Sequence, residues 1–192
     1  MLIVGDFRRK IILFVFLAAL WAIMYFVASI ISTSAACKNE GVYSRDPANY
    51  YMSQKFHFTF QYPKSVIMSG SISYGGEIPF HMDFSDKQNK LNSFIQVWVI
   101  NSSVSDFLKE SLKVSELHYK SFINGGIKLG GTAGIFWDYS VIKQNNEEYL
   151  GKEYFVGKNG YMYRLSFFTT EPEWQSESLN NIESIVQSFR FI

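Results

Sequence analysis

The chain has 192 residues, with 18 Lys and Arg residues against 17 Asp and Glu residues, so its formal net charge is +1. Hydrophobic residues make up 47% of the chain and charged residues only 18%, which excludes wholesale disorder and fits one domain with a small appendage. The near-neutral charge argues against a dedicated nucleic-acid binder, so we expect no nucleic-acid partner. The single cysteine excludes an intrachain disulfide framework and a zinc site built from several thiolates.

A long apolar run begins at Ile11 and ends at Ile31, directly after Arg8, Arg9 and Lys10. Its 21 residues carry no charge. At about 1.5 Å of helical rise per residue they span roughly 31 Å, close to the hydrocarbon thickness of a bilayer. The run therefore predicts a transmembrane helix with membrane lipid as its partner. Because a basic cluster prefers the cytoplasmic side, we expect the rest of the chain to be extracytoplasmic.

The residues after this run leave the mode of attachment open. Ser34, Ala35 and Ala36 are small residues typical of a processing site, and Cys37 follows them at once. This order is similar to a bacterial lipoprotein signal, in which the cysteine becomes lipidated, although Ser34 stands where a bulky aliphatic residue is usual. The alternative is a lone thiol beside an uncleaved helix. Both forms place the protein at the cell membrane, either single-pass or lipid-anchored.

Composition also suggests how the chain is divided. The stretch from Lys38 to Tyr51 contains Gly, Pro, Asn, Ser and Asp with few aliphatic residues, which is typical of a linker. We therefore predict a membrane anchor or signal segment at 1–36, a linker at 37–54 and a folded domain at 55–192.

Within the folded domain, apolar and polar residues alternate with a period of two in several segments, which indicates half-buried strands. In chain order this pattern predicts strands at 56–62, 80–85 and 94–100, a helix from Ser103 or Ser105 to about Tyr119, and a strand at 133–141. A polar hairpin tip follows at 145–148, then a strand at 149–156, a turn at Lys158-Asn159-Gly160, a strand at 161–167 and a helix from Trp174 to Phe189. The order predicts an α+β fold, an antiparallel β-sheet flanked by helices.

Several packing motifs in this domain resemble those of PsbP-like domains. They are Phe58-Thr-Phe-Gln-Tyr-Pro63, the glycine-rich approach to the strand at 133–141, and the closing block at 161–167 and 185–189. The resemblance implies an antiparallel sheet sandwiched between helices over residues 55–192. It also indicates a bacterial membrane-anchored relative of that family, and because the shared motifs are aromatic and aliphatic, they carry no catalytic residues.

Motifs for catalysis are missing from the sequence. The segment from Gly125 to Thr132 imitates a phosphate-binding loop, but Gly131 replaces the required lysine and a strand follows instead of a helix, so we interpret these glycines as a tight turn. Neither a Gly-x-Ser-x-Gly elbow nor a His-Glu-x-x-His motif is present. We therefore expect no enzymatic activity.

The candidate ligand residues are His81, Asp83 and Asp86. His81 and Asp83 are two residues apart on one predicted strand face, and imidazole and carboxylate together suit a weak divalent-cation site. The same spacing is equally the ordinary polar side of an amphipathic strand. No other cofactor is expected.

Aromatic residues could also include a binding surface, since Tyr and Trp bury area at low entropic cost in interfaces. Because most of them follow strand alternation, we expect packing roles for the majority of this set: Tyr50, Tyr51, Tyr74, Trp98, Trp137, Tyr139, Tyr161 and Tyr163. The leading hypothesis is a non-catalytic, membrane-anchored extracytoplasmic protein that binds or supports a membrane or envelope protein. The alternative is a lipoprotein that binds a small ligand or a divalent cation.

Overall fold

The computed structural model describes residues 43–45, 48–142 and 147–192. The apolar run from Ile11 to Ile31, Cys37, and residues 145 and 146 of the predicted hairpin tip lie outside these ranges. In the described part of the chain, no helix has the length and apolar character needed to cross a bilayer.

Two helices and eleven strands make up the described residues. In chain order they are β1 (Tyr43–Arg45), β2 (Ala48–Ser53), β3 (Phe58–Tyr62), β4 (Ile67–Met68), β5 (Phe80–Asp86), β6 (Leu91–Val99), α1 (Val104–Lys113), β7 (His118–Leu129), β8 (Thr132–Ile142), β9 (Glu148–Lys158), β10 (Tyr161–Thr169), α2 (Ser176–Ser188) and β11 (Arg190–Phe191).

The strands form two antiparallel sheets. The large sheet has seven strands in the order β4-β5-β6-β10-β9-β8-β7, and the small sheet has four in the order β1-β2-β3-β11. The predicted turn between β9 and β10 is confirmed, because Asn159 and Gly160 both have positive φ angles, 53° and 81°. Strands β6 and β10 are central, which explains their nearly continuous burial.

Each face of the large sheet packs on a different layer. One face contacts the small sheet and α2, through a core that includes Phe58, Phe167, Ile185 and Phe189, each 0% exposed. The opposite face contacts α1, whose Leu108 joins a second core. Burying a large apolar side chain contributes roughly 1.5 to 3 kcal/mol, so these two cores supply the main driving force for the fold.

The α+β class predicted from the sequence is confirmed, but the layers differ from a single sheet between helices. The segment predicted as a linker contributes β1 and β2, and Tyr51 of β2 pairs with Phe60 of β3 and is 6% exposed. Because β2 belongs to the small sheet and Tyr51 is buried, the folded domain starts before residue 55. The small sheet and α2 together form the layer on one face of the large sheet.

The first helix is shorter than predicted. Ser103 is its N-cap, since the Ser103 hydroxyl accepts a hydrogen bond from the backbone N–H of Asp106 at 3.1 Å. The helix ends at Lys113 rather than near Tyr119, and Tyr119 belongs to β7. The tight turn that we placed within 125–132 lies at Gly130 and Gly131, which have positive φ angles.

Candidate functional site

The free edge of the large sheet beside β5 carries the best candidate interaction site. Residues 67–74, which we call the edge segment, run along β5 in two short antiparallel contacts. Ile67 of β4 pairs with Ser85 of β5, and Ile72 exchanges backbone hydrogen bonds of 2.7 and 2.8 Å with His81. Among the described residues no further strand lies beyond β4. Within the described ranges, the outer edge of this segment is therefore an unpaired sheet edge.

Three large hydrophobic side chains of the edge segment are exposed to solvent: Ile67 at 59%, Ile72 at 51% and Tyr74 at 54%. Ile67 and Ile72 lie on one face of the sheet, because cross-strand partners point to the same side and these two residues pair with Ser85 and His81. The Tyr74 ring joins them on that face, since its centroid lies 5.2 Å from that of the His81 ring. We call these three side chains the edge patch. Exposed apolar side chains on the same face of a sheet edge indicate an interaction surface, whereas single apolar side chains scattered over a protein surface do not.

The sequence offers a signal for this site in a stretch without charge. From Ser65 to Gly76 the chain has no Asp, Glu, Lys, Arg or His residue, although charged residues are otherwise spread along the domain. Sequence reasoning singled out Tyr74 as an aromatic candidate but did not identify Ile67 or Ile72. Their exposure depends on the ragged pairing with β5, which apolar spacing does not reveal.

Beside the edge patch, four side chains form a hydrogen-bonded row across β6 and β5. Trp98 Nε1 donates to Gln96 Oε1 at 3.0 Å, Gln96 Nε2 lies 2.9 Å from His81 Nδ1, and His81 Nε2 lies 2.9 Å from Asp83 Oδ1. Because an indole N–H can only donate, the Gln96 amide must present its NH₂ group to His81. His81 Nδ1 is then the acceptor, and Nε2 carries the proton that is donated to Asp83.

Tyr74 places the end of this row next to the patch. Its ring lies 5.2 Å from the His81 ring in an edge-on arrangement. Partial burial raises the pKa of the Tyr74 hydroxyl, and the negative charge of Asp83 raises it further, so the hydroxyl remains protonated at neutral pH. The Asp83 side chain is 20% exposed. A partly exposed carboxylate therefore lies next to the three side chains of the edge patch.

The structure separates Asp86 from the other two predicted ligands. Asp86 is three residues beyond Asp83 on β5, so it points to the opposite face of the sheet, where Asn181 of α2 donates to its Oδ2 at 3.0 Å. His81 and Asp83 are adjacent. In the described part of the chain, no group of three or more His, Cys, Asp or Glu side chains is arranged to hold a metal ion. A cation at His81 and Asp83 stays a prediction, as does lipidation of Cys37, which lies outside the described residues.

A second polar cluster, which sequence reasoning missed, lies deep on the same face. The Glu153 side chain is 3% exposed and accepts hydrogen bonds from Arg164 Nε at 2.6 Å and Nη2 at 3.0 Å, from the Tyr139 hydroxyl at 2.6 Å and from the Ser166 hydroxyl at 3.1 Å. Its only sequence signal is a charge at an alternating position between aromatic residues of β9.

The environment of this cluster shifts the pKa values of Tyr139 and Arg164. Burial, the strongest influence, raises the pKa of Tyr139, and the charge of Glu153 raises it further. For Arg164, burial alone would lower the pKa, but the attraction of Glu153 raises it above its ordinary value. Since Glu153 already accepts four hydrogen bonds, the cluster ties β8, β9 and β10 together rather than presenting a reactive group.

Comparisons with known proteins bear on the fold. No protein-family model matches the sequence, and no curated protein matches it significantly. The solution structure of cyanobacterial PsbP from Synechocystis is similar, with a TM-score of 0.57 and 16% identity, covering 83% of this chain and 99% of that one.

Two further solved structures are similar over about three quarters of this chain. A protein from Bacteroides thetaiotaomicron matches with a TM-score of 0.50 and 14% identity over 74% of this chain and 48% of its own. LpqN from Mycobacterium tuberculosis, described as involved in cell envelope biogenesis, has a TM-score of 0.44 and 13% identity over 76% of this chain and 85% of its own. The PsbP-like fold predicted from the sequence motifs is thus confirmed, while the low identity restricts the likeness to the fold.

Proposed function

We propose that this chain is a non-catalytic accessory protein that is held at a membrane by its N-terminal segment and binds another membrane or envelope protein through the edge patch. The partner surface is apolar and carries a Lys or Arg side chain opposite Asp83. The observation that carries the proposal is the exposure of the edge patch, whose three large side chains are each more than half exposed. By contrast, the polar groups around His81, Asp86 and Glu153 are engaged with one another.

The polar clusters support a binding role through their hydrogen bonds. Both ring nitrogens of His81 are engaged, by Gln96 and by Asp83. The Glu153 carboxylate accepts four hydrogen bonds, and the Asp86 carboxylate accepts five. A general base or a nucleophile needs a free, oriented lone pair, and these groups direct theirs to neighbours in the fold.

The edge patch supports the choice of a protein partner. Burying three apolar side chains gives the contact its free energy, because each one removes hydrocarbon surface from water. An exposed sheet edge adds backbone hydrogen-bonding groups that can pair with an extended segment. The Asp83 carboxylate selects a basic side chain on the partner through charge complementarity.

Site-specific photo-crosslinking in native membranes tests the proposal. A photoreactive phenylalanine replaces Tyr74 in the full-length tagged chain, and in a matched variant it replaces Leu179, which is 38% exposed on α2. We expect a discrete crosslinked protein from position 74 and none from position 179. An Ile72→Asp change should lower the crosslink yield about tenfold, as removal of a central apolar anchor does in protein interfaces.

Two results contradict the proposal. One is an Ile72→Asp variant with unchanged crosslinking, and the other is the same product from positions 74 and 179. Because Ile72 is half exposed, the aspartate should lower the free energy of unfolding by only about 1 kcal/mol, and the thermal unfolding midpoint verifies that the fold is intact.

A further inference from the structure

We infer that a polar cleft on the small sheet binds a small ligand that carries a phosphate group next to hydroxyl groups. The cleft is shallow and largely open to solvent, with a volume of about 470 Å³. Two sheet strands and the C-terminal end of α2 with β11 form its walls, and the lining residues are Tyr50, Thr59, Gln61, Ser184, Gln187, Ser188 and Arg190. This site is independent of the edge patch, which lies on a different sheet.

The charge of the lining selects an anion. Arg190 is the single charged residue among those that line the cleft, and the others are neutral hydrogen-bonding residues. The acidic side chain in contact with a lining residue is Glu183, which accepts a hydrogen bond from Gln187 at 2.7 Å but does not itself line the cleft. A bound anion therefore meets one guanidinium and no carboxylate in the wall.

The Arg190 side chain is held in position before any ligand binds. Its Nη1 atom donates to the backbone carbonyl oxygens of Gln187 and Phe189, both at 2.6 Å, at the end of α2. These two hydrogen bonds use one nitrogen. In the described part of the chain, Nε and Nη2 make no hydrogen bond, and that edge of the guanidinium matches two oxygens of a phosphate in a bidentate contact.

Three neutral side chains supply the rest of the recognition. Tyr50, Gln61 and Ser184 line the cleft, and their side-chain polar groups make no hydrogen bond with another described residue. By contrast, the Thr59 hydroxyl donates to the backbone oxygen of Tyr51 at 2.7 Å. Free donors and acceptors around a fixed cation suit a phosphorylated polyol, such as a glycerophosphate unit, more than a simple inorganic anion.

Titration of the full-length protein in nanodiscs of neutral phosphatidylcholine tests the inference. Glycerol 3-phosphate is the probe, and the side-chain Nε–H NMR resonance of Arg190 reports binding. We expect a saturable shift of this resonance in the wild-type protein. In Arg190→Gln the affinity should be about ten- to a hundredfold weaker, because a charge-assisted bidentate contact is lost. Calorimetry measures the affinity of that variant, since it lacks the Arg190 resonance. Tyr50→Phe should weaken binding about two- to tenfold.

The matched control is Lys109→Gln, which removes one positive charge from α1, away from the cleft. Its affinity should stay within twofold of the wild type. Absence of saturation, an equal loss in Lys109→Gln, or inorganic phosphate binding as tightly as glycerol 3-phosphate would overturn the inference. Should Arg190→Gln fail to fold, Tyr50→Phe and Ser184→Ala decide the question alone, and unchanged binding in both counts against it.

A second arm distinguishes the two sources of this chemistry. The same titration is repeated in nanodiscs that contain about one third phosphatidylglycerol. A shifted Arg190 resonance before titration, with weaker apparent binding of glycerol 3-phosphate, assigns the cleft to a lipid headgroup. An unchanged titration assigns it to a soluble phosphorylated molecule. Both results support the inferred chemistry.

Discussion

The carboxylate of Asp86 is an example of a side chain whose role depends on partners far away in the sequence. Ser65 Oγ and Asn181 Nδ2 both donate to Oδ2, at 2.7 and 3.0 Å, and Asn89 and Gln88 contribute the remaining hydrogen bonds. Burial alone would raise the pKa of Asp86, but hydrogen bonds from Ser65, Asn89 and Gln88 together lower it. Asp86 therefore anchors the β5–β6 turn to α2.

Replacement of Asp86 by asparagine should cost stability in a pH-dependent way. The folded-state pKa lies below the unfolded value of about 3.9, so the stabilisation is complete above about pH 5 and is lost as the pH falls through the folded-state pKa. We expect Asp86→Asn to lower the free energy of unfolding by about 2 kcal/mol at pH 7, and this loss should shrink steadily as the pH falls below about 4.

Urea denaturation at several pH values, followed by Trp fluorescence, measures this difference. Glu173→Gln, at an exposed position, is the control and should show little change at any pH. A difference between wild type and Asp86→Asn that does not vary with pH would show that the ionised form of Asp86 is not stabilised by the fold.

The polar residues illustrate how far sequence reasoning reaches. The spacing of His81 and Asp83 places them on one strand face, and the structure brings their side chains to 2.9 Å. Gln96 and Trp98 belong to the adjacent strand, so their place in the same row follows only from the register between β5 and β6. Spacing within one strand does not predict the register between two strands.

Strand β7 was not predicted from the sequence, and its pairing contains a β-bulge. Its pairing with β8 shifts between Tyr119 and Ser121, so that Tyr119 and Phe122, three residues apart, approach with ring centroids 5.1 Å apart. The predicted helix ran beyond Lys113 because Ser115 continues the helical spacing of Phe107, Leu108, Ser111 and Leu112, and the next stop signal is Asn124-Gly125-Gly126. A β-bulge reverses which residues face each side of the sheet, so a search for strict alternation of apolar and polar residues does not recognise the strand.

The pairing of β8 with β9 depends on a glycine at the place where a ring lies flat against the backbone. A Cβ atom on Gly151 would overlap the ring of Tyr139, whose hydroxyl donates to Glu153. Gly151→Ala should displace that ring and lower the free energy of unfolding by about 2 to 3 kcal/mol, from steric overlap and a lost buried hydrogen bond. Equilibrium urea denaturation measures the loss.

Gly126 of β7 offers the matched comparison, because a Cβ atom there meets nothing within 4 Å. Gly126→Ala should change the free energy of unfolding by less than about 0.5 kcal/mol. Similar effects of the two substitutions would mean that the Tyr139 ring does not need the space above Gly151.

Considered as one body, the domain matches the fold class that alternation and helix periodicity predict, whereas the small sheet was not foreseen. Strand β11 has two residues, and its partner β3 lies at the opposite end of the domain sequence. Strands this short carry no readable period. The polar residues of β2 led to its prediction as a linker, although Tyr51 packs in the core.

Membrane attachment of the whole protein is tested through Cys37, the single cysteine of the chain. We expect the full-length protein to sediment with membranes, and a maleimide that cannot cross the cytoplasmic membrane to label Cys37 in intact spheroplasts. If lipid occupies the thiol, intact-mass measurement shows the added acyl groups instead. Recovery of the protein in the cytosolic fraction would rule out the anchor.

A cysteine on the other side of the apolar run serves as the control. In a Phe7→Cys, Cys37→Ser variant, the new thiol precedes the basic cluster, and the same maleimide should reach it only after lysis. Labelling of this variant in intact spheroplasts would reverse the proposed orientation.

The distance along the chain between β3 and β11 also bears on the order in which the molecule assembles. Hairpins such as β7–β8 and β9–β10 join strands through two-residue turns and can close early, since little chain entropy is lost. The pairing of Phe58 with Phe191 has to wait until nearly the entire domain has been synthesised. Arg190 takes its place only at that late moment, so a nascent or truncated chain would lack the cleft even where its hairpins were already complete.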